Sequence, residues 1–276
     1  MFHITHQELA EKLDQMVWSY TRISCFDDCP NRFWATYIEH SERRDNALAQ
    51  WGTLIHALIE ENATDKLPIN KMVPAYKRRF KTEITMPFPY SFRGEDMRDK
   101  YFNDGLGFLF YYTGVPENYE VLGAEIKVDT MLGRYKFTGF IDLLLRNKDT
   151  GNIILIDHKS KNGFKSKKEL AQYARQLYLY AKHVKEHYGQ PPSLLVFNLI
   201  RKNIAVQIPY SDTDAQAAID WAVSTIDNIY AAASFPTKLE LNAKRKGLIE
   251  QYDKADYFCM NVCDHRDKCE AMNTEE

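Results

Sequence analysis

The sequence predicts an α/β fold, a mixed central sheet flanked by helices, with N-terminal helices in front and a polar tail behind. Three observations lead there. Runs at 120–129, 134–146 and 152–158 read as strands separated by short Gly-bearing turns. A helical pattern over 168–188 separates them from two further strand-like runs, 194–201 and 203–209. Helical periodicity dominates on either side of this block. The order helices, three strands, helix, two strands, helix suits a sheet covered by helices. The 276 residues, 45% hydrophobic and 27% charged, suffice for one domain with a sizeable core and do not describe a disordered chain.

Residues 1–40 read as helical, with Trp18, Ile23, Phe26, Phe33, Trp34 and Tyr37 as apolar positions. Residues 44–62 repeat Leu48, Trp51, Ile55, Leu58 and Ile59 at helical spacing, an amphipathic helix. Residues 64–118 read as irregular, because Pro68, Pro74, Pro87 and Pro89 interrupt regular structure. The three strands that follow form an antiparallel meander through turns at Leu132-Gly133 and Asp149–Asn152. The 168–188 helix aligns Leu170, Tyr173, Leu177, Tyr180 and Val184 on one face. Ser211-Asp-Thr-Asp214 opens a last long helix as a capping box with Asp in the Glu position, and that helix is expected to reach about Ser234. The expected organisation is therefore one domain: helices to 62, a basic aromatic insertion over 63–118, a core over 119–210, and a helix with a cysteine-bearing tail over 211–276.

The net charge of −2 excludes a polycation that coats nucleic acid indiscriminately, so any nucleic-acid site must be a local patch. Apolar runs such as Phe140–Leu145 are too short to span a bilayer. The N-terminus has neither the basic nor the apolar part of a secretory signal, and a cytoplasmic protein of a bacterial or phage-infected cell is expected. None of the twelve glycines precedes a lysine, so no phosphate-binding loop and no motor is encoded.

The five cysteines are Cys25, Cys29, Cys259, Cys263 and Cys269. An odd number argues against a disulfide scaffold. Their gathering at the two ends, three of them in a polar tail, suits convergence on one soft metal ion or cluster. The plainer alternative is buried, inert cysteine.

The sharpest chemistry lies on the strands. Asp142 interrupts the apolar run Phe140-Ile-Asp-Leu-Leu-Leu145, and Ile153-Ile-Leu-Ile-Asp157-His158-Lys159 ends an apolar strand with Asp-x-Lys. Strand alternation sends Asp157 and Lys159 to one side, with Asp142 as a cross-strand neighbour. A carboxylate in an apolar strand is costly unless paired or metal-bound. Two carboxylates and a lysine at a sheet end make an oxygen site for a hard cation, which lowers the pKa of a bound water. An isolated Asp-x-Lys is also compatible with a structural ion pair. His56 lies in an apolar helical stripe, where histidine is ordinarily a core residue. Gln172, Gln176 and Tyr180 share one helical face, either a functional line or a solvated stripe. Lys161, Lys165, Lys167 and Lys168 make a basic rim suited to phosphate, or simply to solubility.

The segment Lys71–Lys81 holds five basic residues, Lys77, Arg78 and Arg79 among them, and no acidic one. Tyr90, Phe92, Arg93, Tyr101 and Phe102 follow. A basic groove with stacking aromatics holds single strands without reading sequence. The competing expectation is a helical insertion whose aromatics pack inside.

Together these residues resemble the RecB-like branch of the PD-(D/E)XK nuclease superfamily, above all its iron–sulfur members such as the CRISPR-associated adaptation exonucleases and the AddB nuclease domain. The resemblance runs from about Tyr20 to Cys269. Gly52-x-x-x-His56, Gly139-Phe-Ile-Asp142, Asp157-His-Lys159, Gln176-x-x-x-Tyr180 and the cysteines follow the family's order. It implies a restriction-endonuclease-like core and an Mg²⁺ or Mn²⁺ ion held by His56, Asp142, Asp157 and the His158 carbonyl. It implies Lys159 in catalysis, with Gln176 and Tyr180 touching DNA or bracing the site. It further implies a [4Fe–4S] cluster on Cys29, Cys259, Cys263 and Cys269 that staples the tail to the N-terminal helices. Zinc is the alternative occupant, and Cys25 the alternative to Cys29. Lys77, Arg78, Arg79, Lys161 and Lys165 are the candidate DNA contacts. The function expected is a metal-dependent DNA exonuclease preferring single-stranded ends, in recombination, repair or phage DNA processing. The alternatives are a non-catalytic DNA-binding subunit on the same fold and the nuclease partner of a separate helicase or recombination protein.

Overall fold

The computed structural model describes residues 5–91, 93–245 and 257–269. Phe92, assigned above to the aromatic patch, lies outside them.

The sheet runs β1 (Tyr119–Leu132), β2 (Tyr135–Asn147), β3 (Ile153–Lys159), β4 (Leu194–Leu199) and β5 (Ile204–Pro209), in that spatial order. The meander is present. Gly133, with φ of +57°, makes the tight β1–β2 connection, and Gly151, at +73°, the β2–β3 turn. Only β3 and β4 pair in parallel. A parallel pair needs a crossover, which α7 (Lys167–Tyr188) supplies. Ser166 caps its start by accepting from the Glu169 N–H at 3.1 Å, and Gly189 ends it in the left-handed conformation. Leu177, Leu179, Ala181 and Val184 of α7 are fully buried.

The N-terminal helical stretch is segmented. It comprises α1 (His6–Asp14), α2 (Tyr20–Asp28), α3 (Pro30–Phe33) and a π-helical turn over Trp34–Ile38. Ser19 caps α2 through the Arg22 N–H, and Pro30 restarts the helix at its first position. Trp18 is extended and buried; its N–H donates to Lys136 and its carbonyl accepts from Thr138, both on β2. α8 (Asp212–Tyr230) starts at Ser211 as expected but ends four residues short of Ser234. The chain turns there to drop Phe235 into the core, 4.8 Å from the Trp34 ring.

The 64–118 region is a correction to the sequence reading. Rather than irregular, it is built on α5 (Ile69–Glu83) and α6 (Arg98–Tyr111), which pack on α4 (Ala47–Ala63). Pro74 lies inside α5, on its exposed side, so the carbonyl it leaves unbonded, that of Asn70, meets water. Burial holds the helix in spite of it. Tyr76 is fully buried, accepts from the Trp51 indole at 2.9 Å and donates toward the Tyr101 carbonyl at 3.2 Å. A Cβ at position 105 would overlap the Tyr76 hydroxyl, which is why α6 carries Gly105 there.

Two apolar cores result. One joins the sheet to α1, α2, α7 and α8; the other joins α4, α5 and α6 with Ile200. Arg201, just past β4, links them. Its guanidinium donates to Asp104 at 2.8 Å and to the Tyr101 hydroxyl at 3.0 Å while stacking on the Tyr101 ring.

Candidate active site

The site forms where β2 and β3 part. Their pairing runs from Arg146–Ile153 to Leu143–Ile156 and ends there, while β3 stays paired with β4 as far as Lys159–Leu199. Beyond that point the His158 N–H donates to the Asp142 carboxylate, at 2.6 Å, instead of to a β2 carbonyl. A carboxylate thus replaces a ladder bond and is held between the strand ends.

Asp157 and Lys159, two apart, lie on one side as strand geometry requires. The Lys159 ammonium is 2.8 Å from Asp157 Oδ2 and donates to Oδ1 at 3.0 Å. It also donates to Gln176 Oε1 at 2.8 Å, and the Gln176 amide donates to the Tyr180 hydroxyl at 3.2 Å. The Tyr180 ring and hydroxyl in turn pack against Gly139 on β2, three residues before Asp142. Gln176 and Tyr180, one turn apart on α7, therefore brace the lysine against β2. Gly139 makes room for this: a Cβ there would lie 2.6 Å from the Tyr180 ring and hydroxyl. Gly139→Ala is expected to cost about 1–3 kcal/mol through overpacking, read as a lower melting temperature. Gly52→Ala, where the new Cβ meets Ser160 Oγ at an ordinary 3.7 Å, should show little change.

His56 reaches the site from α4, in the other lobe. Its Nδ1 is 3.6 Å from Asp142 Oδ2, and its ring stands edge-on to that of His158, with centroids 5.6 Å apart. Burial lowers its pKa, so the ring is available as a neutral ligand. The His158 ring points elsewhere: Nδ1 lies 3.0 Å from the Asn198 amide on β4, and Nε2 is buried without a partner. Burial pushes its pKa down to about 3, so the ring is neutral, and the contact His158 makes with Asp142 is through its backbone N–H.

Glu125 was not singled out in the sequence. It falls between the pairs Ala124–Leu143 and Ile126–Ile141, opposite Asp142, with φ of +51°. This non-glycine residue in the left-handed region turns its carboxylate toward the site. Among the described residues, His56, Glu125 and Asp142 are the one set of three His, Cys, Asp or Glu ligand atoms within 4.8 Å of one another. The available signal was a single acid inside Ala124-Glu-Ile126 on the strand hairpinned to Asp142. Asp157 stands just outside this set, held by Lys159.

The donors suit a hard divalent cation: one imidazole, carboxylates, a carbonyl, and a buried Asp157 Oδ2 outside hydrogen-bond geometry. Burial, reinforced by the Asp157 charge, holds the Asp142 carboxyl well above the usual carboxylate range; burial and then Glu60 and Asp157 raise Glu125. A raised native pKa means that folding stability is full below the unfolded value, about 4, and falls as pH rises through the native value. A cation replaces the missing proton. Mn²⁺ at a hundred times its Kd is expected to stabilise the fold by about 2.7 kcal/mol and to raise the melting temperature more at pH 8 than at pH 5. Asp142→Asn should raise the metal-free melting temperature and abolish the response. An equal Mn²⁺ response in that variant would place the ion elsewhere.

The expected DNA contacts are distributed unevenly. Lys77 and Arg78 are exposed on α5, while Arg79 bridges Glu61 at 2.8 Å and Glu83 at 2.6 Å. Lys161 pairs with Glu169 at 2.8 Å over the Tyr173 ring, and Lys165 is exposed with its N–H on Glu169. The stacking surface expected beside them is a correction: Tyr101 and Phe102 turn inward with Tyr76 and Phe80 as the insertion's core, leaving Tyr90 exposed.

The described part of the tail docks against the N-terminal helices and the segment after them. His265 Nε2 is 2.8 Å from Thr36 Oγ1 on the π-helical turn, and the Arg44 guanidinium donates to Asp267 at 3.1 Å. Cys29 Sγ accepts from the Lys238 N–H, and Cys25 Sγ from Arg32. Burial raises the thiols of Cys25, Cys29 and Cys263, the last to about 11. The sulfurs do not gather within 4.8 Å of one another.

A family model for the PD-(D/E)XK nuclease superfamily matches residues 17–270. No curated protein matches significantly. Among solved structures, the crystal structure of SSO0001 is similar with a TM-score of 0.39 and 16% identity, over 97% of this chain and 94% of that one. Among the described residues, no helix is long and apolar enough to cross a membrane.

Proposed function

This chain belongs to the PD-(D/E)XK nuclease superfamily, and from that membership we propose that it is a divalent-metal-dependent DNA exonuclease of the RecB-like branch, acting on single-stranded ends. The observation that carries the proposal is the meeting of His56, Asp142, Asp157 and Lys159 from two lobes at one strand end. A structural ion pair would need only Asp157 and Lys159. It would not explain a histidine from α4 or a second buried carboxylate.

His56, Asp142, Asp157 and the His158 carbonyl hold the cation, with Glu125 as a further carboxylate beside them. The bound ion supplies Lewis-acid polarisation of the phosphodiester and a more acidic water. Lys159, fixed by Asp157 and Gln176, keeps its ammonium at the attacked phosphate and offsets the charge that develops there. Exposed Lys77, Arg78 and Lys165 add phosphate contacts. With no motor in the sequence, the strand must arrive already single or frayed at an end, either alone or from a partner helicase. Linear single-stranded DNA is expected to be degraded faster than blunt duplex, and covalently closed single-stranded circles to resist. End-labelled substrates with Mg²⁺, Mn²⁺ or EDTA test this. Rapid cutting of circles would mark an endonuclease, and metal-independent binding without cleavage a DNA-binding module.

We further infer that Cys29, Cys259, Cys263 and Cys269 hold an iron–sulfur cluster with a structural role. A cubane presents an iron at each ligand and so spreads its cysteines wider than one zinc does. Support comes from the docking of the cysteine-bearing tail against the N-terminal segments through His265–Thr36 and Asp267–Arg44. Anaerobically purified protein should be brown, with about four iron atoms per chain. Stoichiometric zinc without iron would refute the cluster.

A further inference from the structure

We propose, resting on the nuclease reading above, that Phe140 is the base-stacking contact of the site and seats the nucleotide next to the scissile phosphate. Phe140 is 54% exposed, on a strand whose neighbouring aromatics Tyr135 and Phe137 are buried. Along β2 the residues Lys136, Thr138, Phe140 and Asp142 share the more open face, while Tyr135, Phe137, Ile141 and Leu143 are covered. Asp142 therefore points from the same side as Phe140, one strand repeat away, roughly 7 Å along the backbone. A nucleobase lies at a comparable reach from its own phosphate. Among the described residues the Phe140 ring has no ring partner. An exposed phenyl this close to a metal-binding carboxylate has lost apolar burial without a packing reason.

Charge complements the ring. Lys127 is the cross-strand partner of Phe140 and is exposed. Directly opposed strand residues have Cβ atoms about 4.5–5.5 Å apart, so Lys127 rises from the sheet next to Phe140, and its flexible side chain has the reach to meet the phosphate of a stacked nucleotide. The occupant is thus a nucleotide of a single strand, since a base inside a duplex has both faces covered. Tyr90, Phe110 and Tyr111 are also exposed, but they lie on the helical insertion; Phe140 is the exposed aromatic on the strand that carries Asp142. Its backbone is held on both sides: Phe140 is paired with Lys127 on β1, and the preceding Gly139 packs against Tyr180, the end of the Lys159–Gln176–Tyr180 chain. A base stacked on Phe140 is therefore held in register with the strand end that carries Asp142.

The test walks a single abasic nucleotide along a 5′- or 3′-labelled single-stranded oligonucleotide, with Mn²⁺ and full-length protein. For wild type, one abasic position adjacent to the cleaved bond is expected to raise KM roughly ten-fold, the scale of one lost base–aromatic stack. Phe140→Ala should raise KM by the same factor on intact DNA, leave its melting temperature unchanged because the side chain is exposed, and show no further loss on abasic DNA. Phe140→Tyr and Phe140→Trp should restore discrimination. If Phe140→Ala cleaves intact DNA with wild-type KM, or keeps the abasic penalty in full, the stacking role is wrong while the nuclease stands. If wild type cleaves no DNA under any metal condition, the nuclease reading falls and this inference with it.

Discussion

Asp157→Ala is expected to abolish cleavage, lowering kcat by at least about 10²–10³-fold, the cost of removing one group aimed at developing charge. Asp157 is 3% exposed and both of its oxygens lie within 3.0 Å of the Lys159 ammonium or closer. Its loss removes a carboxylate assigned to the cation in the proposed site and unfixes the lysine together. Lys159→Ala should fall by a similar factor and still bind DNA, because the metal ligands and the exposed cations remain. Asp142→Ala should lose both metal binding and cleavage. Single-turnover assays with the free Mn²⁺ set by a chelator buffer check all three. Cleavage at near wild-type rate by any of them would show that the chemistry happens elsewhere.

Asp104→Ala is expected to cost about 2–3 kcal/mol of stability. Arg201 is only 8% exposed on its side chain, and without Asp104 its guanidinium is a buried charge held by one phenol and one ring face. Breaking a buried pair from one side costs roughly 3–5 kcal/mol. The 21% exposure of Asp104 lets water solvate the gap and trims that figure. Chemical denaturation reads the loss. The Asp104→Ala, Arg201→Met double variant should recover much of it, because no buried charge is then left alone. A single variant as stable as wild type would mean that the two lobes are held by apolar packing only.

What the sequence disclosed follows from how local each signal is. The meander and the alignment of Asp157 with Lys159 depend on periodicity two and on glycine turns, and α7 on helical periodicity; these were legible, while the parallel pairing of β3 with β4 across α7 was not. Gln176 and Tyr180 were legible as one helical face, though not that Gln176 holds Lys159. The insertion was misread because Pro68, Pro74, Pro87 and Pro89 were weighed as breakers. The buried Tyr76 with its three polar partners, Trp51 and the carbonyls of Tyr101 and Phe102, overrides one lost hydrogen bond at Pro74. Glu125 went unseen because its role depends on a left-handed backbone and on a strand register, neither of which a lone acid in a strand announces. The mutual distance of the cysteine sulfurs is likewise a tertiary quantity that spacing in sequence leaves open.

The division of the site between two lobes bears on when the protein becomes active as it folds. The β1–β2–β3 hairpins close over short turns and belong to the fast, local part of the topology. They bring Asp142, Asp157 and Glu125 together without help. His56 joins only when α4 docks and the Arg201–Asp104 clasp shuts. In the proposed site, a chain with a formed sheet and an undocked helical lobe lacks its histidine ligand, so its cation affinity is expected to be weaker and cleavage to await the docking of α4. Metal affinity, followed during refolding, would serve as a clock for the closure of the two lobes.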